Sequence, residues 1–271
     1  MQKKNIELIL SEFGYFRQNA GGNNFLNTDR LEPTLSTFLK QFPYAKITLY
    51  TDFEYKQSNI NTDIDIIKVK PPFDQAHPRY GWRSHDYYQA YGLIKSTADY
   101  AIAMDTDMKI VSDKFKSILK LSDYFGLCLP ANPRLLIHVD GTKGTDSAYI
   151  ENDDLTQGQG FAYNLTPIAF NTKHHKAREL LELYCEKLKQ MPQRGCISLF
   201  EAACKLQFSP YMLPFQWCVC SPRDLDSKHI WGNEIVLHVG HPDVYPYYLK
   251  QQKIQARKAL FKKIKNKLKG K

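Results

Sequence analysis

No run of 18 consecutive apolar residues occurs in the 271-residue chain, so no segment reads as a membrane-spanning helix. The opening stretch MQKKNIELILSEFG has a basic start, but its apolar part is short and interrupted by Glu7; no secretory leader is expected. There is no G-x-x-x-x-G-K-[ST], which excludes a Walker-type phosphate loop, and no internal repeat. Six cysteines lie mostly in apolar, aromatic-rich surroundings, which suits buried reduced thiols in a cytosolic protein better than a disulfide framework. Between residues 250 and 271 acidic residues are absent while ten of the 37 Lys and Arg occur, leaving 27 basic against 28 acidic residues elsewhere. The formal charge of +9 is therefore a property of the terminus, and no nucleic-acid partner is expected for the domain.

What is present is an alternation of short β-rich runs and helix-like segments. Strands are expected at 6–13, 45–52, 63–70, 99–107, 124–131, 161–170 and 234–240, and helices at 30–43, 83–98, 172–190 and 197–206. This order implies an α/β fold with a mixed, mostly parallel, Rossmann-like sheet flanked by helices. A domain over 1–248 is expected, followed by a basic tail at 249–271. On a helical projection Ile254, Leu260, Phe261, Ile264 and Leu268 share about one third of the circumference. The tail thus reads as an amphipathic helix for an anionic membrane surface, and the protein as cytoplasmic and peripheral on a membrane.

The stretch ADYAIAMDTDMKI ends an apolar run with two aspartates, Asp105 and Asp107. In a parallel sheet ligands bind beyond the carboxyl ends of strands, and residues i and i+2 of an extended segment point the same way. Two close carboxylates repel unless a cation or proton lies between them, and hard oxygen donors favour Mg2+ or Mn2+. An EF-hand is excluded, because the sixth and twelfth positions from Asp105 are Ile110 and Lys116. His238 sits late in a strand, where a neutral imidazole would suit Mn2+ better than Mg2+; His241 is the alternative ligand. Cys218 and Cys220 with His238 and His241 would make a zinc set. Cys-x-Cys and His-x2-His both miss the usual structural spacings, so that reading is not adopted. His174 and His175 read as solvated.

The segment GWRSHDYYQAYGLIKSTADYAIAMDTDMKI resembles the central part of GT-A glycosyltransferases, where a helix precedes a strand ending in a D-x-D motif. YAKITLYTD, FAYNLTPIAFN, YMLPFQW and IVLHVGHPDVY resemble other stretches of that family in the same order, over about residues 5 to 248. The resemblance implies a nucleotide-sugar donor, in particular a UDP-sugar, and a glycan or lipid-linked acceptor, as in surface polysaccharide synthesis. It implies Mn2+ or Mg2+ held by Asp105, Asp107 and His238, with Asp105 assisting through the metal or the ribose. The loop carrying Arg17, together with Asp52, would border the base and ribose. Residues 133–160 would lie over the donor, making Asp153, Asp154 and Gln157 candidates for hydroxyl contacts. The acidic residue or glutamine that many relatives carry near Ile197 or Ser198 is missing, and Glu201, one turn later, is the substitute candidate. An inverting enzyme would want Asp153, Asp154 or Glu201 as base, whereas a retaining one could do without. Two other classes stay open: a metal-dependent phosphoesterase, and a noncatalytic nucleic-acid binder using the basic tail.

Overall fold

In a computed structural model the described residues are 4–13, 31–52, 62–74, 80–132, 162–190, 195–222, 225 and 232–269. The strands are β1 (Ile6–Glu12), β2 (Lys46–Thr51), β3 (Asp65–Lys68), β4 (Tyr100–Ala103), β5 (Met108–Ile110), β6 (Leu127–Asn132), β7 (Ala162–Tyr163), β8 (Ile168–Asn171), β9 (Tyr211–Leu213) and β10 (Val236–His238). The helices are α1 (Glu32–Gln41), α2 (Tyr80–Lys95), α3 (Ser117–Phe125), α4 (His175–Gln190), α5 (Gly195–Leu206) and α6 (Val244–Lys269).

The main sheet runs β3-β2-β1-β4-β8-β6-β7, with β9 beside β6. The pairs β3/β2, β2/β1 and β1/β4 are parallel, whereas β8 is antiparallel to both β4 and β6. From β1 the chain builds first outward to β2 and β3 and then returns to β4 on the other side. That reversal of direction opens a crevice at the carboxyl ends of β1 and β4, where ligands bind in such sheets.

Strand alternation divides the core into two layers. Ile9, Ala101 and Ala103 face the layer of α2, α4 and α5, while Leu8, Leu10, Ile102 and Met104 face that of α1, α3 and the small β5/β10 sheet. Central strands buried on both faces read as continuous apolar runs, which is why AKITLYT and DYAIAM stood out in the sequence. Helix α2 lies close against β1 because residue 92 is glycine. A Cβ there would fall 2.5 Å from Ile9 Cγ2 and 2.8 Å from the Tyr50 ring.

Several elements differ from expectation. The single strand expected over 161–170 is two, β7 and β8, with a cis Thr166–Pro167 bond between them; β7 pairs the end of β6, and β8 pairs its start and β4. The strand expected at 124–131 starts at Leu127, because 117–125 is helix α3, closed by Gly126 at φ 74°. The three-residue strands β5 and β9 are too short to leave a periodic signal.

Helix α6 starts at Val244, so the boundary expected at 248/249 falls inside it. Pro246 sits in its first turn, where the missing N–H has no intrahelical partner to lose. Val244 is fully buried with Val219, Leu225 and Leu237, and from residue 256 onward the described side chains are exposed. Among the described residues no helix is long and apolar enough to cross a membrane.

Candidate metal centre

The apolar run of β4 ends at Met104, and after Asp105 the chain turns at Thr106 and Asp107 before pairing again as β5. Threonines of α1 fix that turn. The Thr34 hydroxyl lies 2.9 Å and 3.0 Å from the carbonyls of Asp105 and Met108 and accepts from the Met108 N–H at 2.8 Å. Thr37 accepts from the Ile110 N–H at 3.0 Å. Thr166, at the break between β7 and β8, accepts the Asp105 N–H at 2.9 Å, and the Thr106 hydroxyl donates to Glu12. The backbone that carries the two carboxylates is thus held from α1, β1 and the β7–β8 turn.

Both carboxylates have supports of their own. Asp105 Oδ1 lies 2.9 Å from His85 Nε2 and accepts from Gln89 Nε2 at 3.0 Å. His85 Nδ1 lies 2.8 Å from the Ser11 hydroxyl at the end of β1. Asp107 has His238 Nε2 3.0 Å from its Oδ1, and its backbone carbonyl accepts from Val239 N–H at 2.8 Å. A Cβ at Gly240 would lie 1.9 Å from Asp107 Oδ2, so any side chain there would have to displace that carboxylate.

Strand β10 brings in the imidazole by antiparallel pairing with β5, which sets His238 opposite Met108. One carboxylate oxygen each from Asp105 and Asp107 and one ring nitrogen of His238 all lie within 4.8 Å of one another. Their side chains are 14–19% exposed, open enough for a ligand but largely withdrawn from bulk water. Two carboxylates and an imidazole form a donor set suited to a divalent ion such as Mn2+. The electrostatics agree. Burial pushes the Asp105 carboxyl up, but the hydrogen bond and charge of His85 and the charge of His238 outweigh it and hold it below the ordinary carboxylate value. Burial pushes His238 down, yet its hydrogen bonds to Asp107 and Cys220 and the charges of both aspartates hold its proton well above the ordinary imidazole value. Both shifts favour positive charge among these three side chains.

Asp105, Asp107 and His238 are therefore brought together as the sequence implied. Asp52 follows β2 on the same carboxyl edge, two strands from β4, and its Oδ2 accepts from Tyr80 OH at 3.2 Å. Glu201 is elsewhere engaged: it is buried between α4 and α5 with Oε2 2.6 Å from Lys187 Nζ. Arg17, Asp153, Asp154 and Gln157 lie outside the described residues. His241 packs edge-on against His238, with ring centroids 4.7 Å apart. His174, expected to be solvated, is half-buried and accepts from Ala177 N–H at 3.2 Å, capping α4.

Sequence reasoning missed His85 and Gln89. Their spacing of four residues on a helix that leads into the aspartate strand was the available signal. It also set aside the cysteines. Cys218, Cys220 and His238 form a second group whose ligand atoms lie within 4.8 Å. Cys-x-Cys on an extended segment puts both thiols on one side, a geometry that the usual knuckle spacings do not describe. Hydrogen bonding with Cys218 leads the causes that hold the Cys220 thiol well below its ordinary value, with His238 and His241 adding to it against burial.

A parallel half-sheet, a reversal at β1/β4 and an Asp-x-Asp turn directly after β4 define the GT-A glycosyltransferase fold. Solved structures sharing it include the bifunctional glycosyltransferase WbbM in its apo form (TM-score 0.52, 11% identity, 87% of this chain and 46% of that one). They also include the galactosyltransferase LgtC in complex with donor and acceptor sugar analogues (TM-score 0.51, 11% identity, 86% of each chain). The chain spans just under half the length of WbbM and most of LgtC, and at this identity the likeness is one of fold. No protein-family profile and no curated protein matches the chain.

Replacing Gly240 by Ala should displace the Asp107 carboxylate and weaken Mn2+ binding by about 10–100-fold, the range for disturbing a ligand's support. Titration calorimetry would read it, and unchanged Mn2+ affinity would show that Asp107 does not depend on this contact.

Proposed function

We propose that the chain is a metal-dependent glycosyltransferase that moves a sugar from a nucleotide-sugar donor, a UDP-sugar, to a hydroxyl of a glycan or glycolipid acceptor. The observation that carries this reading is the convergence of Asp105, Asp107 and His238 at the sheet's crevice in a GT-A fold. LgtC, which has the same fold, is a galactosyltransferase seen with donor and acceptor sugar analogues, and it supports transfer from a sugar donor to a sugar acceptor.

A divalent ion bound by Asp105, Asp107 and His238 would supply positive charge against the diphosphate leaving group. The chain's own part is to hold its donors in place. His85 and Gln89 fix the Asp105 carboxylate, leaving its Oδ2 on the side of His238. Asp52, on the same edge, is proposed to border the ribose with Arg17. The acceptor hydroxyl must be aligned with the anomeric carbon, and residues 133–160 are assigned that task. Asp153 and Asp154 are the proposed carboxylates near the reacting centre. Glu201 would have to part from Lys187 to serve there, so it ranks behind them.

The tail completes the proposal. Leu260, Phe261 and Ile264 are 46–70% exposed on α6 among lysines, which suits an interfacial helix on anionic lipid beside a lipid-linked acceptor.

Asp105→Asn and Asp107→Asn should each lower sugar transfer by at least about 100-fold, as removal of a transition-state charge partner does, with far-UV dichroism unchanged. Full turnover in either variant would overturn the assignment; hydrolysis of nucleotide diphosphates without an acceptor would point instead to a phosphoesterase.

Changing Leu260, Phe261 and Ile264 together to Ser should reduce partition onto anionic vesicles, and added salt should weaken wild-type binding, each basic residue contributing about 1 kcal/mol. Equal partition of variant and wild type would remove the anchor role.

A further inference from the structure

His238 has two faces. Its Nε2 lies 3.0 Å from Asp107 Oδ1 and 3.7 Å from Asp105 Oδ2, while its Nδ1 lies 3.8 Å from Cys220 Sγ. Cys220 Sγ is in turn 3.5 Å from Cys218 Sγ. We propose that Cys218, Cys220 and His238 Nδ1 form a soft-metal site for Zn2+, and that zinc bound there antagonises the hard-metal site on the other face of the same imidazole.

The spacing is close to that of a tetrahedral shell. Bonds of about 2.3 Å to sulfur and about 2.0 Å to nitrogen put two sulfurs roughly 3.8 Å apart and a sulfur and a nitrogen roughly 3.5 Å apart. Cys220 Sγ lies 3.5 Å from Cys218 Sγ and 3.8 Å from His238 Nδ1, so small side-chain shifts would bring all three onto one ion. The backbone fixes the arrangement. Val219 bridges Leu237, its N–H donating to the Val236 carbonyl and its carbonyl accepting from the His238 N–H, while its side chain is buried on the far side. That holds Cys218 and Cys220 side by side along β10. Asn164 Nδ2 donates to both sulfurs, at 3.2 Å and 3.8 Å, a contact that favours their thiolate forms. None of the six cysteines is in a disulfide, and Cys220 is partly exposed, which gives an ion a route in. His241 packs edge-on against His238 beside this group.

Antagonism follows from the imidazole. A neutral ring has one N–H and one free lone pair. Zinc on Nδ1 leaves the proton on Nε2, facing Asp105 and Asp107, so the carboxylate site loses its nitrogen donor. A metal on Nε2 leaves the Nδ1–H directed at Cys220. Binding zinc requires both sulfurs and His238 Nδ1 to be unprotonated, the displaced protons go to solvent, and no redox step is involved.

The test uses the full chain, reduced, with zinc and manganese as probes. Wild type should bind one Zn2+ per chain in competition with a chromophoric chelator, and Co2+ in its place should give thiolate-to-metal absorption. Bound zinc should weaken Mn2+ affinity by at least about 10-fold, the low end for disturbing a metal ligand. Cys218→Ala and the milder Cys220→Ser should each lower zinc affinity by at least about 10–100-fold and free Mn2+ binding from zinc. Asp105→Asn should lose Mn2+ but keep zinc, which separates failure of this proposal from failure of the functional reading on which the antagonism rests. Zinc binding of wild-type strength in both cysteine variants, or none in wild type, overturns the site. Zinc bound with Mn2+ affinity unchanged overturns the antagonism.

Discussion

Two carboxylates cannot be held side by side at the mouth of an apolar strand without a compensating positive charge, and the surroundings of Asp105 and Asp107 answer that constraint. His85 and Gln89 reach Asp105 from α2, and His238 reaches both aspartates from β10. Each of these elements is placed by the fold. Helix α2 presses on β1 through Gly92, and β10 is registered on β5, which the threonines of α1 tie to the turn. The crevice is therefore assembled from segments distant in sequence, each anchored by buried apolar packing on one side and a polar contact to the turn on the other.

Much of this was legible. Buried central strands give unbroken apolar runs, and a pair of aspartates ending one of them is conspicuous because nothing in the core can solvate it. His238 could be singled out because it ends a late strand. The supporting groups were harder. His85 and Gln89 sit in a polar-aromatic helix that is buried around most of its surface, so no single apolar face marks which polar residues turn inward. Glu201 was placed near the reacting centre by helical periodicity, which cannot show that Lys187 from the neighbouring helix meets it. Cys218 and Cys220 were discounted on spacing rules drawn from compact knuckles, whereas the bridge of Val219 to Leu237 of β10 gathers them beside His238.

One imidazole joining a carboxylate pair to a thiol pair gives the centre two chemical characters. Hard oxygen donors lie on the crevice side of His238, and soft sulfur donors lie behind it against Asn164. In a metal site the group behind a histidine sets its tautomer and orientation, a role usually filled by a carboxylate or a carbonyl. Here a thiol fills it, so the metal preference of the centre depends on which nitrogen of His238 carries the proton.

The central claim is that a hard divalent ion seats on Asp105, Asp107 and His238 Nε2 to receive a nucleotide diphosphate. Anomalous diffraction at the manganese edge, from crystals grown with Mn2+ and UDP under reducing conditions, tests it directly. The account predicts one anomalous peak among those three side chains, bridged to the diphosphate oxygens. A nucleotide bound elsewhere, or manganese absent from those carboxylates, would contradict it.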